Sequence, residues 1–555
     1  MLKRFLLTAL LFTLPTAAWT QGIVSAADPR AAEAGRDILR EGGSAADAAM
    51  AMMLALTVVE PQSSGIGGGG FLLHHDAKQG IIQTIDGREK APAAARPDRF
   101  IGPDGKPLPF SQAYPGGLSV GVPGNIRLMA RTHQRWGKLP WAQLFEPAIR
   151  LAEQGFVVSG STGAALRGMT EQWQNFAAAR EIYWKDGAPV VARTTITNPA
   201  LAKTLRAIAA NGPDAFYSGE IGQAITDAVA GAPVNATSLT AADLSAYQAA
   251  ERPAVCTQYR AYKVCGMGPP SSGATTVLQI LKLLERFDMK AMGPRDPRSW
   301  HLISEAMKLA YADRDKYLGD RDFVDVPVAG LIDRGYLAER SRLIAIDKPL
   351  GRYEAGNPPG AAPRTSHPSG EVAGTTHFVA VDAEGNVANM TSTIEGPFGS
   401  QLVAGGFFLN NELTDFSLAP DKDGAPVANR VEAGKRPRSS MSPTIVYDAS
   451  GKPVLALGSA GGPRIIMHVA KTLIGWIDFG LPAQEAIALP NIYFSNDATL
   501  VEQRTYLEGM MGQIAPITGL VVSSGLGSKV NAAEYVDGAW RGAADPRSEG
   551  VALNQ

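Results

Sequence analysis

Two threonines, Thr375 and Thr376, stand where the stretch "GEVAGTTHFVAVDAEGNVANMTSTI" (370–394) turns from a Gly-rich segment into strand-like sequence. A threonine hydroxyl is a poor nucleophile until a base takes its proton, and one source of that base is the threonine's own α-amine. An α-amine titrates near ~7.7, so it accepts a proton at neutral pH without a histidine. The amine exists only where the preceding peptide bond has been cut. Attack by the hydroxyl on the preceding carbonyl would make that cut, and a glycine there adds little bulk. Gly374–Thr375 is therefore a candidate self-cleavage bond.

The turn "DAEGN" gives this segment a register. A three-residue loop, Ala383–Glu384–Gly385, with Gly385 in the left-handed position makes Asp382 face Asn386 and Thr375 face Thr393. A slip of one residue would pair Thr376 with Thr393 instead. Facing residues have Cβ atoms ~5 Å apart, close enough for their hydroxyls to interact. A second candidate is "GSAGGPR" (458–464), whose consecutive backbone N–H groups suit an oxyanion hole, or else a tight turn feeding the helix "RIIMHVAKTLIGWI". Across the turn "DASGK", the same loop geometry makes Asp448 face Lys452 and brings Ser439 opposite Gly461 if no bulge intervenes.

These groups need elements to hold them. "DPRAAEAGRDILREGG" reads as a helix with Asp28 as cap, Pro29 in the first turn and Gly42 as the stop. Ser44 and Asp47 are spaced as a capping box for a second helix, whose segment 48–59 is apolar nearly all round yet too short to cross a bilayer. Further helical segments make the first half helix-rich. The Pro/Gly/Ser-dense run 354–374 reads as a solvated connection, and short alternating strands dominate beyond it. The fold class is thus α/β, of layered α+β type.

A net charge of -1 and 45% hydrophobic residues are ordinary for a globular chain and argue against nucleic acid as a partner. Residues 1–20, with Lys3 and Arg4 ahead of a short apolar run, read as a secretory signal rather than a stable membrane span. The two cysteines, Cys256 and Cys265, would face each other across a hairpin turning at Arg260–Ala261; a disulfide and two buried thiols both remain open. The seven histidines show no metal-ligand spacing, so neither metal nor cofactor is expected. "GIGGGGF" lacks the ending of a phosphate loop and reads as close backbone packing near the site.

Taken in order, "EPQSSGIGGGGFLL", "GREKAP", "PPSSGATTVLQIL", "YADRDKYLGD", "GTTHFVAVDAEGN", "LNNELTDFS", "KRPRSSMSPTIV" and "GSAGGPRII" resemble the γ-glutamyltranspeptidases, and the likeness spans nearly the whole mature chain. The resemblance implies an αββα sandwich of the N-terminal-nucleophile hydrolase type. It also implies a precursor self-cleaved into a large subunit, 21–374, and a small catalytic one, 375–555. Thr375 would be the nucleophile and new N-terminus, Thr393 its bonding partner, and Gly461 with Gly462 the oxyanion pair. Arg88, Ser439 and Ser440 would grip the substrate α-carboxylate, and Glu412 and Asp415 its α-amine. A zwitterionic glutamyl head group suits a guanidinium at one end and carboxylates at the other.

Some residues depart from the family pattern. Glu395 stands where many members carry asparagine, "SLAPDKDGAPVANRVEAGK" (417–435) has no aromatic residue to form a lid, and "LPNIYFSND" differs from the usual C-terminal wording. The lid segment predicts a more open pocket. The expected function is an exported γ-glutamyl hydrolase/transferase acting on glutathione and related compounds, with water, amino acids or peptides as acceptors. Two other readings stand beside it: a cephalosporin (glutaryl) acylase, which needs no α-amine contact, and a non-catalytic periplasmic amino-acid or peptide-binding protein.

Overall fold

The computed structural model describes residues 22–366 and 374–555. The signal segment and residues 367–373 of the connecting run lie outside the described residues.

Helix α1 (Pro29–Arg40) starts where the Asp28 carboxylate accepts the Arg30 N–H, and Gly42, at φ 87°, turns the chain after it. Helix α2 (Ala45–Val59) opens on the reciprocal Ser44–Asp47 capping box, and all of its residues are buried. A helix apolar on every side must be surrounded, and α2 lies at the centre of one hydrophobic core.

The strands of the two large sheets are β1 (Ile23–Ala26), β2 (Gly69–Asp76), β3 (Ile81–Asp86), β4 (Ala250–Arg252), β5 (Val255–Tyr259), β6 (Tyr262–Gly266), β7 (Thr375–Val381), β8 (Val387–Thr393), β9 (Thr444–Tyr447), β10 (Pro453–Gly458), β11 (Asn531–Val536), β12 (Ala539–Ala544) and β13 (Val551–Asn554). They form a 7-stranded sheet, β13-β1-β7-β8-β2-β3-β4, and a 6-stranded sheet, β12-β11-β10-β9-β6-β5. Strand alternation separates two cores. Phe378 and Ala380 of β7 join α1 and α2 on the outer face, whereas Val379 and Val381 join residues of the second sheet and of helices α3 (Gly273–Leu284), α4 (Pro297–Tyr317) and α5 (Ile465–Ile477). Helices, sheet, sheet, helices is the layered order the sequence implied.

Cys256 faces Cys265 in the β5–β6 register, with Arg260 at φ 53° in the turn, and the two are joined as a disulfide. The connecting run is partly tied down. Asp313 of α4 accepts the Gly356 N–H at 2.8 Å, Tyr317 donates to the Gly356 carbonyl at 2.7 Å, and Thr365 forms a bridge with Val427.

Candidate active site

The β7–β8 hairpin has the register read from "DAEGN": Asp382 N–H donates to the Asn386 carbonyl, Gly385 sits at φ 86°, and Thr375 faces Thr393. Counting by twos from Val379 puts Thr375 on the face toward the second sheet and Thr376 on the helix side. The Thr375 and Thr393 hydroxyl oxygens are 3.2 Å apart. Thr393 donates to the Gly374 carbonyl at 2.7 Å, while its oxygen accepts the Glu395 N–H at 2.8 Å. The Gly374 carbonyl, at the candidate self-cleavage bond, is thus polarised by the residue that faces Thr375. A side chain on Gly374 would meet the Glu395 carbonyl oxygen at 2.3 Å, so glycine at this bond is a packing requirement. The glycine run leading into β2 follows the same logic, since a Cβ at Gly68 would lie 1.9 Å from the Thr393 carbonyl oxygen.

The second hairpin corrects the sequence register. Asp448 N–H donates to the Lys452 carbonyl as the turn requires, but pairing passes from Tyr447–Pro453 to Val446–Leu455, leaving Val454 as a bulge. Proline supplies no N–H to the ladder, so the ladder breaks beside Pro453. Strand pairing then ends at Thr444–Leu457, and Ser439 lies not opposite Gly461 but beside Ser271. Gly461 (φ 134°) and Gly462 (φ 58°) form the bend between β10 and α5. Neither N–H donates a hydrogen bond to another described residue. Buried N–H groups are nearly always paired, so two adjacent free ones form a ready anion receptor.

Arg88 lies 1% exposed between two acidic groups and the serine segment. Its guanidinium pairs with Glu412 and Asp415, and it also donates to the Pro437 carbonyl at 3.1 Å and the Arg438 carbonyl at 2.9 Å. Burial alone would lower its pKa, but Glu412, Asp415 and Glu89 together hold it raised. One oxygen each of Glu395, Glu412 and Asp415 lie within 4.8 Å of one another, with all three side chains buried. The fully buried Glu89 carboxyl, 3.9 Å from Arg88, is pushed well above the usual carboxylate range by desolvation and by Glu412. Glu395 keeps its place beside Thr393 with a left-handed backbone, φ 76°, a conformation that costs a non-glycine residue and that clusters at functional sites. Ser439 Oγ accepts the Met441 N–H, and Ser440 Oγ accepts from Arg314 at 2.7 Å.

The pattern of the gamma-glutamyltranspeptidase family matches residues 31–554. A glutathione hydrolase proenzyme of Bacillus subtilis (strain 168) is 36% identical over 553 residues, covering 96% of this chain and 91% of that protein. One from Escherichia coli (strain K12) is 38% identical over 95% of this chain and 90% of its own length. Among solved structures, a cephalosporin acylase from Bacillus halodurans superposes with a TM-score of 0.85 at 26% identity, covering 99% of both chains. The chain belongs to the gamma-glutamyltranspeptidase family.

Within this transpeptidase scaffold the sequence reading missed four side chains. Arg314 links the Ser272 hydroxyl (2.9 Å) to Ser440, and Glu89, His468 and Arg464 all adjoin proposed site residues. Arg314 lay in "YADRDKYLGD" and Glu89 in "GREKAP", but only the folded chain brings either to the site. On the Gly462–Arg464 side opens a cavity of about 1060 Å³, lined by Arg314, Pro463, Arg464, Tyr493, Tyr353 and Ser366 among others. Its wall includes the segment 493–497, where the sequence departs from the usual family wording. The lid segment also lines it through Lys422, while the Val427–Thr365 bridge fastens that segment to the run before the cleavage bond. No helix of the described residues is long and apolar enough to cross a membrane.

Proposed function

We propose that the protein is an exported γ-glutamyl hydrolase/transferase, made as one chain and activated by its own Thr375. In self-cleavage the Thr375 hydroxyl oxygen bonds to the Gly374 carbonyl carbon, the C–N bond breaks, and the hydroxyl proton ends on the departing amine. Water then opens the ester, leaving a Gly374 carboxylate and a free Thr375 α-amine and hydroxyl. Large (21–374) and small (375–555) subunits stay together because β7 pairs with β1 and β8 with β2, so the main sheet is shared between them.

In turnover the α-amine takes the Thr375 proton, the oxygen attacks the γ-carbonyl, and the leaving amine departs with a proton. Water, an amino acid or a peptide then accepts the γ-glutamyl group. Gly461 and Gly462 are assigned to the oxyanion. Arg88, Ser439 and Ser440 are assigned to the α-carboxylate; Glu395, Glu412 and Asp415 are assigned to the α-ammonium. The observation that carries this reading is the convergence of three buried carboxylates next to Thr393. Such a cluster attracts an ammonium and disfavours a glutaryl chain, which has none to offer. Glutathione, whose leaving group is a dipeptide, fits a donor site flanked by a large cavity. The apolar N-terminal run supports export to the periplasm or medium.

The test is competition between glutathione, a γ-glutamyl anilide and a glutaryl amide, with and without a dipeptide acceptor. Preferred turnover of both glutamyl donors is expected. Failure on both, with turnover of the glutaryl amide, would replace this reading by the acylase one.

A further inference from the structure

His468 sits on the first turn of α5, directly behind the glycine bend. Its Nδ1 is 3.1 Å from the Ala460 carbonyl oxygen and 3.1 Å from Ser459 Oγ. A carbonyl only accepts, so Nδ1 carries the hydrogen and donates to it. Ser459 Oγ donates to the same oxygen at 3.0 Å, giving the Ala460 carbonyl two donors. In a trans peptide the C=O and the following N–H point in opposite directions. Two donors gripping the Ala460 oxygen therefore fix the plane in which the Gly461 N–H is aimed. The ring also fills the space where a Gly461 side chain would go, with Cε1 2.9 Å from that Cβ position. Burial, aided by Lys471, lowers the His468 pKa to about 3, so the ring is neutral at working pH.

The carbonyl cut during self-cleavage has a different arrangement. Among the described residues the Gly374 oxygen accepts from Thr393 Oγ1, and neither Gly461 nor Gly462 donates to it. We propose that self-cleavage and turnover use different oxyanion donors, and that His468 is a positioning residue for the turnover pair alone. It aims the Gly461 N–H by holding the Ala460 carbonyl, while the Thr393 hydroxyl serves the Gly374 carbonyl. The inference rests on the γ-glutamyl reading above.

A merely structural histidine would affect both reactions, so both are measured on the full chain: the rate at which the precursor splits, and kcat and KM for a γ-glutamyl anilide. His468→Phe keeps a ring of similar size but removes the donor, and His468→Asn returns an N–H near the Nδ1 position. The expected result for His468→Phe is a kcat about 10–100-fold lower, the scale of a misaimed oxyanion donor. KM and the splitting rate should stay within about twofold, and His468→Asn should recover most of the lost kcat. Ser459→Ala, which removes only the second donor, should shift kcat in the same direction by less; it serves if the phenylalanine variant does not fold. Splitting slowed by the same factor as kcat, or an unchanged kcat in correctly split variants, would overturn the proposal. A wild type that turns over no γ-glutamyl donor would instead overturn the functional reading beneath it.

Discussion

Two regions of the proposed site are built from opposite chemistry. Toward Arg88 the wall is closed and charge-paired, with Arg88, Glu412 and Asp415 buried and in contact with one another. Toward Arg464 it opens into a cavity whose cationic wall residues include Arg464 and Lys316, neither with a side-chain hydrogen bond or ion pair to another described residue. A closed pocket with fixed charges reads one head group by shape and sign. An open cavity with an unengaged guanidinium tolerates many leaving groups and acceptors while favouring those with a carboxylate. In the proposed reading, the closed region sets the donor and the open one the acceptor.

Removing the proposed nucleophile should have the largest effect. Thr375→Ala should leave an unsplit chain by denaturing electrophoresis and reduce γ-glutamyl anilide turnover by about 10⁴-fold or more. Next comes the closed side. Arg88→Gln strands buried acids without their cation, which should cost about 3–5 kcal/mol of stability in denaturant titrations. It should also lower kcat/KM for glutamyl donors about 100-fold. Asp415→Asn is more selective: removing one charged partner of the α-ammonium should cost about 10–100-fold on a glutamyl donor and less than about twofold on a glutaryl amide. An equal loss on both substrates would mean the acidic group does not read the ammonium. The open side should respond least. Arg464→Gln is expected to raise KM about 2–5-fold for a γ-glutamyl dipeptide but not for its C-terminal amide, with the difference shrinking as salt is added.

Legibility in the sequence followed the range over which each constraint acts. Local signals carried through: the Asp28 and Ser44 caps, the "DAEGN" turn and hence the Thr375–Thr393 pair, and the Cys256–Cys265 facing. The same turn geometry at "DASGK" predicted Asp448–Lys452 correctly but not Ser439, because Pro453 breaks the ladder and a bulge moves every later pair by one. Family resemblance supplied Arg88, Glu412 and Asp415, yet assigned them to opposite ends of a substrate. In the fold they also pair with one another, since neighbouring buried charges of opposite sign seldom stand apart. His468 and Arg464 were beyond reach, because their significance rests on which way the glycine bend turns its backbone.

The most direct test of the account is the intact mass and N-terminal sequence of the purified protein. Two polypeptides are expected, the shorter beginning at Thr375. A single uncut chain that still turns over γ-glutamyl donors at full rate would contradict the claim that the Thr375 α-amine is the catalytic base.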